Sequence, residues 1–102
     1  MSTIYNLKET VEYAKDSIVS KTISEKAAGT VTLFAFDKGQ GLSEHTAPFD
    51  ALVQILEGKA TVIVGGVPSI VAEGQLIIMP GNVPHALRGE ERFKMMLVMI
   101  KA

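Results

Sequence analysis

A chain of 102 residues can bury enough surface for one core but too little for two. Ten basic and eleven acidic residues leave a net charge of −1, with no run of Lys or Arg, which argues against nucleic acid or an anionic membrane as a partner. The absence of cysteine excludes a disulfide framework and thiolate chemistry. A hydrophobic fraction of 47% implies either a large core or apolar surface covered by a second copy, so a homodimer is expected. The segment Met1 to Asn6 lacks the basic-then-apolar pattern of a signal peptide. No apolar run approaches a membrane span, and the expected location is the cytoplasm.

In chain order, Asn6 to Tyr13 spaces Leu7, Val11 and Tyr13 as a turn or so of helix would, though an exposed edge segment fits equally. Ser17 to Ile23 is rich in β-branched residues and suits a strand, followed by a polar turn over Ser24 to Gly29. Thr30 to Phe36 reads as a strand with Thr32, Phe34 and Phe36 on one face and Val31, Leu33 and Ala35 on the other. A Gly-rich loop from Gly39 then carries His45 and leads into an apolar strand, Leu52 to Leu56, that stops at Gly58.

Lys59 to Val64 and Val67 to Val71 are β-branched runs separated by Gly65-Gly66, the strongest hairpin signal in the chain. Pro68 cannot donate to a ladder, which puts that part of the returning strand at an edge. Gln75 to Met79 reads as a short buried strand. The rigid loop Pro80 to Pro84 delivers His85, and Phe93 to Ile100 forms the last strand. About eight short strands with glycine-marked turns predict an all-β sandwich or barrel. Phe34, Phe36, Val53, Ile55, Val62, Ile78 and Leu97 are the expected core.

The two histidines lie in stretches that resemble the paired motifs of the cupin superfamily. Gly39, His45 and Gly58 fall at the first, second and last fixed places of G-x5-H-x-H-x3-4-E-x6-G, over residues 39–58. Gly74, Pro80 and His85 match G-x5-P-x-G-x2-H-x3-N, over residues 74–89. The resemblance implies a single small jelly-roll β-barrel over residues 1–102, a cupin-like double-stranded β-helix open at one end. It also implies a metal set of two histidines and a glutamate from the first motif and one histidine from the second. Here Ala47 stands at the second histidine place and Ala51 at the glutamate place, so half of that set is absent. Asn82 and Gly89 replace the glycine and asparagine of the second motif.

His45 and His85 are therefore the candidate site residues, as weak metal ligands for Zn, Ni, Mn or Fe or as polar anchors for an organic molecule. Ala47 and Ala51 make the expected cavity roomier and more apolar, with Phe49 at its rim and Met79 in its wall. Asp50 and Gln54 stand on the strand positions that face away from Ala51. The leading expectation is a small-molecule-binding protein with an incomplete metal site. The alternative is a metal-dependent dioxygenase or isomerase that holds its ion weakly.

Overall fold

The structure, a computed structural model, describes residues 2–101. Among the described residues, one helical turn, α1 (Leu7–Thr10), precedes nine strands. They are β1 (Ile18–Lys26), β2 (Gly29–Phe36), β3 (Gly41–His45), β4 (Asp50–Glu57), β5 (Lys59–Val64), β6 (Val67–Ala72), β7 (Leu76–Met79), β8 (His85–Arg88) and β9 (Phe93–Ile100). They form two antiparallel sheets, ordered β1-β2-β9-β4-β7 and β3-β8-β5-β6, packed face to face as a jelly-roll barrel. Among the described residues no helix is long and apolar enough to cross a membrane.

Strand alternation decides what each sheet turns inward. On β2, β9 and β4 the registers Phe36↔Phe93, Phe34↔Met95, Ile55↔Met95, Val53↔Leu97 and Ala51↔Met99 stack one face over the barrel interior. Phe36, Ile55 and Phe93 are wholly buried and fill one end of it. The Phe36 and Phe93 rings lie stacked with centroids 4.4 Å apart, so that end is closed by aromatic packing. Towards the other end the inward side chains become Ala51, Val53, Leu97 and Met99, and the barrel opens. The β5–β6 hairpin turns on Gly65 and Gly66, at φ 57° and 81°, the left-handed pair that a two-residue turn between right-twisted strands requires. Pro68 lies on β6, an edge strand.

The outer face of the larger sheet is covered by the N-terminal segment over part of its width. Val11, Leu33, Ala35 and Leu56 form a second buried cluster, with Leu7, Tyr13, Val19, Ile23 and Met96 packed against it. The Tyr13 hydroxyl donates to the Glu57 carboxylate at 2.5 Å, and the buried Lys94 ammonium donates to the Lys8 carbonyl. Burial, followed by the Glu57 hydrogen bond and charge, holds the Tyr13 phenol well above its ordinary range.

Four sequence expectations need correction. The first strand runs on to Lys26, because its partner β2 continues to Gly29 and pairing outweighs the polar composition. The stretch after Gly39 is not a loop throughout: Gly41–His45 is strand β3, held by pairing with β8. Gly, Ser and Glu are poor strand formers, and tertiary pairing overrides them. The β7 strand is not buried. It is an edge strand whose Leu76 and Ile78 point outward, and Ile78 is 58% exposed while Met79 beside it is buried. Phe34 and Leu97 are only partly buried, because both pack at the margin of the core. Phe36→Ala should therefore cost about 3–5 kcal/mol by leaving a core cavity, and Ile70→Ala, on the exposed face of the edge strand β6, no more than about 0.5 kcal/mol. Urea-denaturation midpoints compare the two directly.

Candidate functional site

His45 and His85 are direct cross-strand partners in the β3–β8 ladder. Opposed residues of an antiparallel pair carry their Cβ atoms about 4.5–5.5 Å apart. Both rings therefore meet: their centroids are 4.3 Å apart, their planes cross at 70°, and the two Nε2 atoms are 3.1 Å apart. The register shift between Leu42 and His45 brings this about, since it carries the pairing from Leu42↔Leu87 to His45↔His85. His85 is 5% exposed, because β8 lies between β3 and β5; His45, on the edge strand β3, is exposed to solvent.

Each ring is fixed at its other nitrogen by a carbonyl two residues upstream. His45 Nδ1 lies 2.8 Å from the Ser43 oxygen, and His85 Nδ1 lies 3.2 Å from the Val83 oxygen. A carbonyl only accepts, so an Nδ1–H donates wherever the ring carries its proton there, while the hydrogen bond between the two Nε2 atoms needs a proton on one of that facing pair. The loop before His85 is itself tied down. Asn82 N–H donates to the Ala47 carbonyl at 2.7 Å, Gly81 N–H to the Asp50 carboxylate at 2.8 Å, and Gly65 N–H to the Pro84 carbonyl at 2.8 Å. Asn82 takes φ 64°, a left-handed conformation that asparagine tolerates better than most non-glycine residues, so it can stand where the motif has glycine.

The pair heads a cavity of about 260 Å³ lined by Leu42, His45, Ala47, Ala51, Val53, Met79, His85, Leu87, Met95, Leu97 and Met99. Nine of these eleven are apolar and supply no charged group. Of the residues singled out from sequence, His45, His85, Ala47, Ala51 and Met79 come together here. Phe49 does not. It lies in the bend before β4, and its ring faces the Lys101 ammonium at 5.8 Å beside a separate surface depression with Pro48, Asp50, Ile100 and Lys101. The bend takes it out of the strand alternation that turns Ala51 inward. Asp50 is spent on Gly81, and Gln54 sits on the outer face opposite Leu76 and Met96. Leu42, Val53, Leu87, Met95, Leu97 and Met99 were not singled out as site residues. Counting in steps of two from Ala51 and from Met99 reaches Val53, Leu97 and Met95.

The donor set does not fit a firmly held metal. Two nitrogens 3.1 Å apart could occupy adjacent corners of one coordination shell. Structural and catalytic sites, however, need three or four protein ligands, and among the described residues no group of three or more His, Cys, Asp or Glu could hold an ion. Ala47 and Ala51 face the positions where further ligands would stand. Dialysis against a chelator should therefore strip any bound ion without moving the thermal midpoint. A midpoint that fell on chelation would show a structural metal.

Comparison with known proteins bears on this geometry. Residues 32–101 match the family model described as Cupin domain. A conserved protein of unknown function from Streptococcus pyogenes shares 37% identity over the whole of this chain and 90% of its own, with a TM-score of 0.93. A cupin 2 conserved barrel domain protein from Leptotrichia buccalis shares 43% identity over 95% of this chain but only 47% of its own length, with a TM-score of 0.92. A cupin superfamily protein from Desulfitobacterium hafniense, at 22% identity and a TM-score of 0.93, shares the fold. No curated protein matches the chain.

Proposed function

This chain belongs to the cupin family, and from that premise we propose that it binds a small organic molecule inside the barrel, with His45 and His85 as its polar anchors. The observation that carries this reading is the cavity itself: about 260 Å³ of space, walled by hydrocarbon and thioether side chains and headed by two imidazoles. Such a concave, mostly apolar pocket with a few convergent polar groups is the usual form of a small-molecule site. Its volume lies just below the ~300–1,000 Å³ of drug-sized sites, so the occupant is small. Alanine at 47 and 51 is what leaves the room. Longer polar side chains at those positions would fill part of the space and make it polar.

A divalent ion such as Zn, Ni, Mn or Fe would find two protein ligands here and be held weakly. A metal-dependent dioxygenase or isomerase would need further donors, and the residues around the pair offer none. Ligand binding is the reading these residues favour.

Toluene is a fitting probe of the cavity, because it has the shape of a small occupant and no polar group. It should perturb the methyl resonances of Met79, Met95 and Met99. In Ala51→Leu, whose added carbons occupy the same space, its affinity should fall about tenfold or more, roughly 1.4 kcal/mol, with the fold retained. Unperturbed methionines at saturating toluene would contradict the reading.

We also propose that the chain pairs with a second copy of itself. Leu76, Ile78 and Ile100 are 49%, 58% and 47% exposed on the outer face of the larger sheet, beyond the part that the N-terminal segment covers. Leu52 and Val98 lie between them in register, and the five together form one apolar stripe across β7, β4 and β9. Light scattering should return twice the chain mass of 10.9 kDa, and Ile78→Lys should shift it towards one. A mass of one chain at working concentrations would contradict the pairing.

A further inference from the structure

The methionines of the cavity narrow the kind of occupant, resting on the reading that the cavity takes a small molecule. Three of the chain's five methionines, Met79, Met95 and Met99, line it. They border about 260 Å³ of space rather than fill it, so gap-filling in the core does not account for all three. Two of them share one row with an alanine: Ala51 on β4 pairs with Met79 on β7 and with Met99 on β9. Directly opposed residues of antiparallel neighbours point to the same face, and all three side chains line the cavity. Neighbouring strands lie about 4.8 Å apart, so the two methionine backbones stand about 9–10 Å from each other with only a methyl group between them.

We infer that this row is a slot for a flat aromatic ring, seated over the Ala51 methyl with the Met79 thioether on one side and the Met99 thioether on the other. A thioether sulfur makes a favourable contact with an aromatic ring at about 5 Å. A ring centred over Ala51 lies about 5 Å from each flanking strand, so one ring meets both sulfurs near that distance. The three rotatable bonds of each methionine take up the remaining adjustment. A saturated ring has no π-system for the sulfur to meet and gains dispersion alone. Val53 and Leu97, paired in the next row inward, close the slot below with branched aliphatic groups. An apolar cavity of about 150 Å³ takes benzene, so about 260 Å³ admits one ring with a short substituent.

Benzene and cyclohexane, matched in ring size and both without a polar group, separate the possibilities when titrated into the full chain and followed through its methionine and leucine methyl resonances. In the native chain, nuclear Overhauser contacts should run from the benzene protons to the methyls of both Met79 and Met99. In the double variant Met79→Leu, Met99→Leu, which keeps a hydrocarbon wall of similar volume, the ratio of benzene to cyclohexane affinity should fall about fivefold or more. Taking the ratio removes the difference in hydrophobicity between the two probes. An unchanged ratio in the folded variant, or benzene in contact with one methionine of the row and not the other, would overturn the slot and leave the cavity reading standing. Should the double variant not fold, the contacts in the native chain decide. Failure of both probes to perturb the cavity methionines would overturn the cavity reading and this inference with it.

Discussion

His45 Nδ1 lies against the Ser43 carbonyl and His85 Nδ1 against the Val83 carbonyl; these two short-range contacts orient the rings that the barrel presents at its mouth. Each reaches back only two residues, so neither depends on the wider fold to form. What the fold adds is register. The β3–β8 ladder places the two histidines directly opposite each other, and the contact between their rings follows from ordinary strand geometry. Local contacts orient each ring, and the ladder brings the two Nε2 atoms within hydrogen-bond distance of each other, 3.1 Å apart.

The same barrel is built for rigidity at one end and for space at the other. Phe36 and Phe93 stack at the closed end, and Ile55 and Met95 fill around them with nothing left exposed. At the open end Ala47 and Ala51 replace bulk with room. Stability and binding thus share the same strands and some of the same residues: Val53, Met79 and Met95 belong to the buried core and also line the cavity, while Phe36 and Phe93 serve the core alone. A cavity bounded by such a core keeps its shape without an occupant, and an occupant then has little ordering to offset. The loop that delivers His85 is held by three backbone donors, at Gly65, Gly81 and Asn82. The site is preorganised from the protein side.

Much of this was legible in the chain. Gly65-Gly66 between β-branched runs gave the hairpin, and the alternation of Thr30 to Phe36 gave the two faces of β2. The spacing of glycine, proline and histidine in two linked stretches gave the barrel and both histidines. Less visible were features that depend on what lies across the strand. Gly41–His45 has poor strand propensity and becomes β3 only because β8 pairs with it. Ile78 reads as core by composition, yet its strand is an edge and its face is the outer one. Phe49 follows the parity of Ala51 on paper, but the bend before Asp50 takes it out of step. The contact of the two imidazoles was also beyond the sequence, because residues forty positions apart reveal their register only once paired.

Xenon tests the account most directly, because an apolar cavity takes it up and a polar, hydrated one does not. Crystals of the full chain pressurised with xenon should show it between Ala51, Val53, Met79, Leu97 and Met99. Ordered water in that space, with xenon excluded, would contradict the account.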